Sequence, residues 1–258
     1  MHILIVGRPR CRTSFLSMAY TDHYKLNNLH EFFYNGSSNL WLNAKVIKSS
    51  NVLEEVQKLH IKRLKNISGQ ILNVDNTIVK LFPRDIITHY SPNHIFLDIK
   101  DFQYRCVTNI SEIFQLDRYD QILLLERNFI DSAISYIYGK IIGIMLFERH
   151  TSKNFYQKKL TPITVTKEQL DILNFYILEY LVDQNLKDFL EKKYFCKKLD
   201  FNEIPNYVKD NFNNYETNYY MDLEINYKNS ILNYNEVIDY INLKFNEYSS
   251  IYLPTKFV

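Results

Sequence analysis

Met1-His-Ile-Leu-Ile-Val-Gly7-Arg8-Pro9-Arg10-Cys11-Arg12-Thr13-Ser14-Phe15-Leu16 opens the chain, and its reading decides the fold. Ile3 to Val6 is an apolar run that breaks at Gly7-Arg8-Pro9, and the hydroxyl residues Thr13 and Ser14 stand where a helix would begin. The pattern is strand, tight loop, helix N-terminus. A helix start presents unpaired backbone N–H groups and the positive end of its dipole, which together attract an anion. Three arginines, Arg8, Arg10 and Arg12, stand in the loop, so a phosphate or sulfate is the expected guest. The planar guanidinium fork suits such tetrahedral oxyanions. The nucleotide-triphosphatase loop G-x-x-x-x-G-K-[ST] does not fit. Counted from Gly7, Arg12 stands at its second glycine and Thr13 at its lysine, and only Ser14 agrees.

Working outward, strands and helices alternate. The patterns predict a first helix over Thr13 to Tyr20, a short strand over Leu29 to Phe33, and an amphipathic helix over Asn51 to Lys65. Asn76 to Pro83 reads as a buried strand stopped by proline, Arg84 to Tyr90 as a short helix, and 101–117 has helical spacing. Asp120-Gln-Ile-Leu-Leu-Leu-Glu126 is a continuous apolar run suited to a sheet covered on both faces. A helix over Ile130 to Arg149, a polar connector over 151–165 and a capping box at Thr166-Lys-Glu-Gln169 follow. That box opens a second long helix to Lys193; then come a strand over Tyr194 to Phe201, a helix over Asn202 to Phe212, an Asn/Tyr-rich loop, and a last helix over Asn235 to Glu247. The expected fold is α/β: a single domain with a mostly parallel central sheet flanked by helices. Ligands bind such sheets beyond the carboxyl ends of the strands, where Arg10, Lys80 and Arg127 fall together.

A second motif lies at the end of the strand Asp120–Glu126: Arg127-Asn128-Phe129-Ile130-Asp131-Ser132-Ala133-Ile134-Ser135-Tyr136. An arginine at a strand end and a serine eight residues on, in the following helix, can address one phosphate from two sides. Both stretches resemble the sulfotransferases that use 3′-phosphoadenosine 5′-phosphosulfate (PAPS). The family's 5′-phosphosulfate loop runs basic–Ser–Gly–Thr–Thr/Ser–aromatic–Leu; Arg10 to Leu16 follows it, with Cys11 and Arg12 replacing Ser and Gly. Its 3′-phosphate motif runs Arg-Asn-Pro-x-Asp, three residues, Ser-Tyr; Arg127, Asn128, Asp131, Ser135 and Tyr136 match in register and Phe129 replaces proline. Two looser likenesses are Ile78 to Pro83, with the family's lysine and proline but not its histidine, and Tyr194 to Pro205. The resemblance is clearest over 1–205, leaving 206–258 as a C-terminal loop and helix packed on the same domain.

The resemblance implies a P-loop-like sulfotransferase architecture and metal-free, in-line transfer of a sulfuryl group from PAPS to an acceptor hydroxyl or amine. It places Arg8, Arg10, Cys11, Arg12, Thr13, Ser14 and Phe15 around the 5′-phosphosulfate, with Arg12 either a second cation or turned to solvent. Arg127 and Ser135 would hold the 3′-phosphate, and Lys228 would stand in for the family's C-terminal Arg-Lys-Gly segment. Arg10 would neutralise the leaving phosphate, and Lys80 would hold the bridging oxygen or form an ion pair. Glu31, in His30-Glu31-Phe32-Phe33, is the candidate base, because heparan-type members place a glutamate before His-Phe-Phe; His30 is the alternative. A P-loop nucleoside or nucleotide kinase, and a nucleotide-binding protein of this fold without activity, are the competing readings.

Composition narrows the rest. With 31 basic against 29 acidic residues the chain carries no nucleic-acid signature. Three widely spaced cysteines, Cys11, Cys106 and Cys196, read as reduced thiols of a cytoplasmic protein, and Cys11 is either a reactive thiol or a small loop filler. The first apolar run is too short for a signal peptide, and Ala133 to Phe147, broken by tyrosines and a lysine, falls short of a membrane span. The acceptor (carbohydrate, lipid, tyrosine or small metabolite) and the oligomeric state are not encoded in any motif.

Overall fold

The computed structural model of the chain describes residues 1–33, 52–90, 103–142, 162–212, 226–251 and 257–258. Its centre is a five-stranded sheet of β1 (His2–Val6), β2 (Asn27–Asn28), β3 (Thr77–Leu81), β6 (Gln121–Glu126) and β7 (Cys196–Asp200). The spatial order is β2-β3-β1-β6-β7 and every neighbouring pair is parallel. A parallel sheet needs crossovers that return over its faces, so both faces are covered and its strands read as unbroken apolar runs. Side chains alternate between the two layers accordingly. Leu4, Val6, Val79, Leu81, Ile122 and Leu124 belong to one apolar cluster, and Ile3, Ile5, Ile78, Leu123 and Leu125 to the other.

The helices that cover the sheet follow from capping as much as from apolar spacing. Helix α1 (Thr13–Tyr24) runs a turn beyond its expected end and stops at Lys25, which adopts the left-handed conformation at φ 55°. Helix α2 (Val52–Ile71) leads back to β3, and the four-residue α3 (Pro83–Ile86) follows β3 directly. After α4 (Ile110–Phe114) and β6 comes α5 (Phe129–Ile141), then the short α6 (Lys167–Leu170), capped by the Thr166/Gln169 box, and the long α7 (Ile172–Lys193). Helices α8 (Ile204–Asn211), α9 (Tyr227–Ser230) and α10 (Tyr234–Ile251) complete the described chain. No described helix is long and apolar enough to cross a membrane.

Three expected elements differ. The apolar stretch Leu29 to Phe33 is not a strand: pairing with β3 begins earlier, at Asn27↔Thr77, and His30 turns left-handed at φ 50°, which ends the extended run. Phe33 is buried instead, with its ring edge-on to Phe114 at 4.9 Å. The expected 84–90 helix ends at Ile86, and β4 (Ile87–Tyr90) pairs antiparallel with β5 (Gln103–Cys106) in a small separate sheet; the stretch 101–117, expected to be helical, thus supplies that strand and only the five-residue α4. The β-branched run Ile86-Ile87-Thr88 favours that extended form. Most of the connector expected over 151–165, the end of the helix expected to Arg149, and the Asn/Tyr-rich loop lie outside the described residues.

Topology fixes where a ligand can sit. From β1 the chain builds β2 and β3 on one side, then crosses to β6 and β7 on the other. The boundary between β1 and β6 is therefore a topological switch point, with a crevice beyond the carboxyl ends of the strands. Val6 pairs with Leu124 and with Leu81, and Glu126 with Asp200, so the loops after β1, β3, β6 and β7 leave the sheet side by side.

Candidate functional site

The loop after β1 is built for a close backbone approach. A Cβ on Gly7 would lie 3.2 Å from the Leu125 Cβ and 3.4 Å from the Thr13 Cγ2, a tight fit that any larger residue could take only with a shift of a few tenths of an ångström in those side chains. Beyond it, Arg10 (φ 72°) and Arg12 (φ 60°) both take the left-handed conformation. That costs a non-glycine residue roughly 1–2 kcal/mol. Left-handed residues alternating in a tight turn aim successive N–H groups into one concavity, the nest geometry that binds anions. Arg12 is also the N-cap of α1, and its side chain makes no capping hydrogen bond to the first turn. The left-handed Arg12 stands where the resemblance has glycine, the residue this φ favours.

Arg127 and Arg10 tie the second motif to this loop. Arg127 Nη1 donates to the Arg10 carbonyl at 2.8 Å, and Arg10 Nε donates to Ser135 Oγ at 3.0 Å. Tyr227, at the start of α9, donates its hydroxyl to the same Ser135 Oγ at 3.0 Å. Asn128 caps α5 by accepting from the Asp131 N–H at 3.2 Å. Phe129, where the motif has proline, stacks on Tyr180 of α7 at 4.3 Å, and Tyr136 stacks on Tyr176 at 4.5 Å. From the β7 side, the Phe201 ring lies 3.9 Å from the Arg12 guanidinium and 4.0 Å from that of Arg127. Arg12 Nη1 also donates to the Phe201 carbonyl at 2.6 Å. Among the described residues no carboxylate lies within ion-pair distance of Arg10 or Arg127.

A second cationic group stands at the end of β3. Buried Lys80 donates to Ser14 Oγ at 3.1 Å, linking β3 to the first turn of α1. Glu31 is bracketed by cations, with Arg84 Nη2 at 3.0 Å and Lys80 Nζ at 3.8 Å. Burial, opposed by Glu31, pushes the Lys80 ammonium below its ordinary value. Desolvation and the nearby Lys80 likewise lower His30, whose carbonyl accepts the Lys80 N–H at 3.0 Å. Arg10, Arg12 and Arg127 are thus joined through Ser135 and Phe201 beyond β1, β6 and β7, while Lys80 and Arg84 meet at Glu31 beyond β3, and Lys80 links the two groups through Ser14 of α1.

The other expected site residues are placed differently. Arg8 is wholly buried: Nε donates to Asp183 at 3.0 Å, Nη1 to Ser132 Oγ at 2.9 Å and Nη2 to the Arg127 carbonyl at 3.0 Å. Cys11 and Phe15 lie in the apolar cluster under α1, so they offer the crevice backbone rather than side chain. Cys11 is wholly buried, and burial, opposed by Arg8, raises its thiol, as for a small residue filling a tight loop. Thr13 is buried in the first turn and Ser14 half-buried. Lys228 is exposed, beside the Tyr227 that reaches Ser135.

Several participants carried no motif: Ser132, Phe201, Tyr227 and, on α7, Tyr176, Asp183 and Lys187. A signal existed for α7 in Glu179, Asp183 and Lys187, charged residues four apart on a face otherwise filled by Leu186, Leu190 and Tyr176. Glu179 faces Asp85, and both of these buried acids are pushed up to about 7 by burial. Among the described residues no group of three or more His, Cys, Asp or Glu is placed to hold a metal ion. Compared with known proteins, the chain matches no family model and no curated protein.

Proposed function

We propose that the protein is a PAPS-dependent sulfotransferase. The observation that carries the reading is the bond from Arg10 to Ser135 together with that from Arg127 to the Arg10 carbonyl. These bonds join the two stretches that resemble the family's 5′ and 3′ phosphate motifs, and they do so at the switch point of a parallel sheet. An ATP site asks for a lysine in the loop; here Thr13 stands in that place, and Lys80, which reaches Ser14, comes from β3.

In this reading the nest at Arg10–Thr13 and the N-terminus of α1 receive the 5′-phosphosulfate, and Arg127 the 3′-phosphate. The acceptor oxygen attacks sulfur as the bond from sulfur to the 5′-phosphate oxygen breaks, and the acceptor proton passes to a base. Stabilisation of the leaving phosphate by fixed cations dominates such transfers. In this reading Arg10 and Lys80 neutralise that phosphate, and Glu31, between Lys80 and Arg84, is the proton acceptor that the resemblance implies.

The test is transfer itself. The purified chain is incubated with 35S-labelled PAPS and a panel of oligosaccharides, tyrosine peptides, glycolipids and phenols, without added metal. Label on one acceptor with stoichiometric release of adenosine 3′,5′-bisphosphate is expected. Tight binding of the bisphosphate with no transfer to any acceptor would favour the inactive reading instead.

A further inference from the structure

Behind the two loops lies a buried charged cluster that reaches them chiefly through their backbone carbonyls. Asp183 of α7 is wholly buried, and its Oδ2 accepts from Arg8 Nε at 3.0 Å and pairs with Lys187 Nζ at 2.8 Å. Lys187 in turn donates to the Leu125 carbonyl at 2.6 Å, at the end of β6, and lies 3.7 Å from Glu126. Arg8 extends the cluster upward, through Ser132 at the start of α5 and through the Arg127 carbonyl. Its guanidinium also stands 4.5 Å from the Tyr180 ring, while the Tyr176 hydroxyl donates to the Pro9 carbonyl at 3.2 Å. One helix thus holds both strand-end loops by their backbones.

Such an arrangement has a physical cost that asks for a reason. Buried ion pairs seldom stabilise more than an apolar replacement would, because desolvation offsets their attraction, and they are best attested where they specify one arrangement. Here that arrangement is the spacing between the loop after β1 and the loop after β6. We propose that Asp183 is a positioning residue for the anion site: through Arg8 and Lys187 it sets where Arg10 and Arg127 stand relative to each other. The proposal rests on the reading of those two loops as one anion site.

Two variants test it in the full chain. Asp183→Asn keeps the size of the side chain but leaves Arg8 and Lys187 without their buried counter-charge. Ser132→Ala removes a single Arg8 contact, keeps every charge, and serves if Asp183→Asn does not fold. Amide hydrogen exchange without ligand is expected to rise at least tenfold in peptides covering 7–16 and 126–136 of Asp183→Asn. Ser132→Ala should show a smaller rise in the same two peptides, and β3 and β7 should be unchanged in both. Affinity for adenosine 3′,5′-bisphosphate should fall at least tenfold with Asp183→Asn, yet no further when Asp183→Asn is added to Arg127→Ala. Unchanged exchange in the two loops, or a rise spread evenly along the chain, would overturn the proposal. Loop-specific exchange in a protein that binds no bisphosphate would retain the positioning role and remove the nucleotide reading.

Discussion

Asp85 should make the protein less stable as pH rises, and replacing it by asparagine should remove its share of that loss. Asp85 is 2% exposed; Oδ2 accepts the Phe82 N–H at 2.8 Å, and Oδ1 has no hydrogen-bond partner among the described residues. Burial, opposed chiefly by Arg84, lifts it from its ordinary 3.8 to about 7. A carboxyl raised in the folded state contributes stability below its unfolded value that is lost as pH climbs through the folded one. At about 1.4 kcal/mol per pH decade, the loss between pH 4 and pH 8 is roughly 4 kcal/mol for this one group. Glu179, also lifted to about 7 by burial, acts in the same direction. His60, held near 4 by burial, and His30, also lowered by burial, act oppositely below pH 6.5, where the two carboxyls outweigh them. Asparagine mimics the protonated acid and can still accept the Phe82 N–H. Urea unfolding of wild type and Asp85→Asn at pH 5 and pH 8 should therefore show the variant gaining about 2–3 kcal/mol over wild type between the two conditions. A gain that does not grow with pH, or wild-type stability that rises from pH 5 to pH 8, would refute the reasoning.

Other consequences are simpler to check. A Cβ on Gly69, within α2, would meet nothing within 4 Å, so Gly69→Ala should raise stability by about 0.5–1 kcal/mol in the same unfolding assay. Native alkylation should label Cys196, which is half-buried, well before the fully buried Cys11 and Cys106, with all three reacting in denaturant. Glu31→Gln should cut sulfuryl transfer by about 10²–10⁴ while leaving bisphosphate affinity within about threefold, as loss of a general base would. Equal losses in both would make Glu31 a bridge between Lys80 and Arg84 rather than a base.

How much of this could be read from the chain depends on the kind of signal. Buried parallel strands announce themselves as apolar runs, so β1, β3 and β6 are visible in Ile3–Val6, Ile78–Leu81 and Ile122–Leu125. The Thr166/Gln169 box is equally legible, because its hydrogen bonds are local. Arg10, Lys80 and Arg127 could be brought to one edge from strand ends alone. Tertiary partners could not. Nothing local separates Arg8, which turns inward to Asp183 of α7, from Arg10, which reaches Ser135 of α5, since their partners lie 175 and 125 positions away. Leu29 to Phe33 looks extended, yet the left-handed His30 and the pocket beside Phe114 override that pattern. Arg12 was open between cation and solvent; it bonds to Phe201, a residue without any motif.

The most direct test of the central claim is calorimetric titration of the wild-type chain and Arg127→Ala with adenosine 3′,5′-bisphosphate, 5′-AMP and Mg-ATP. The account predicts clear preference for the bisphosphate, with that preference lost in Arg127→Ala. Equal or tighter binding of Mg-ATP would contradict it and move the kinase reading to the front.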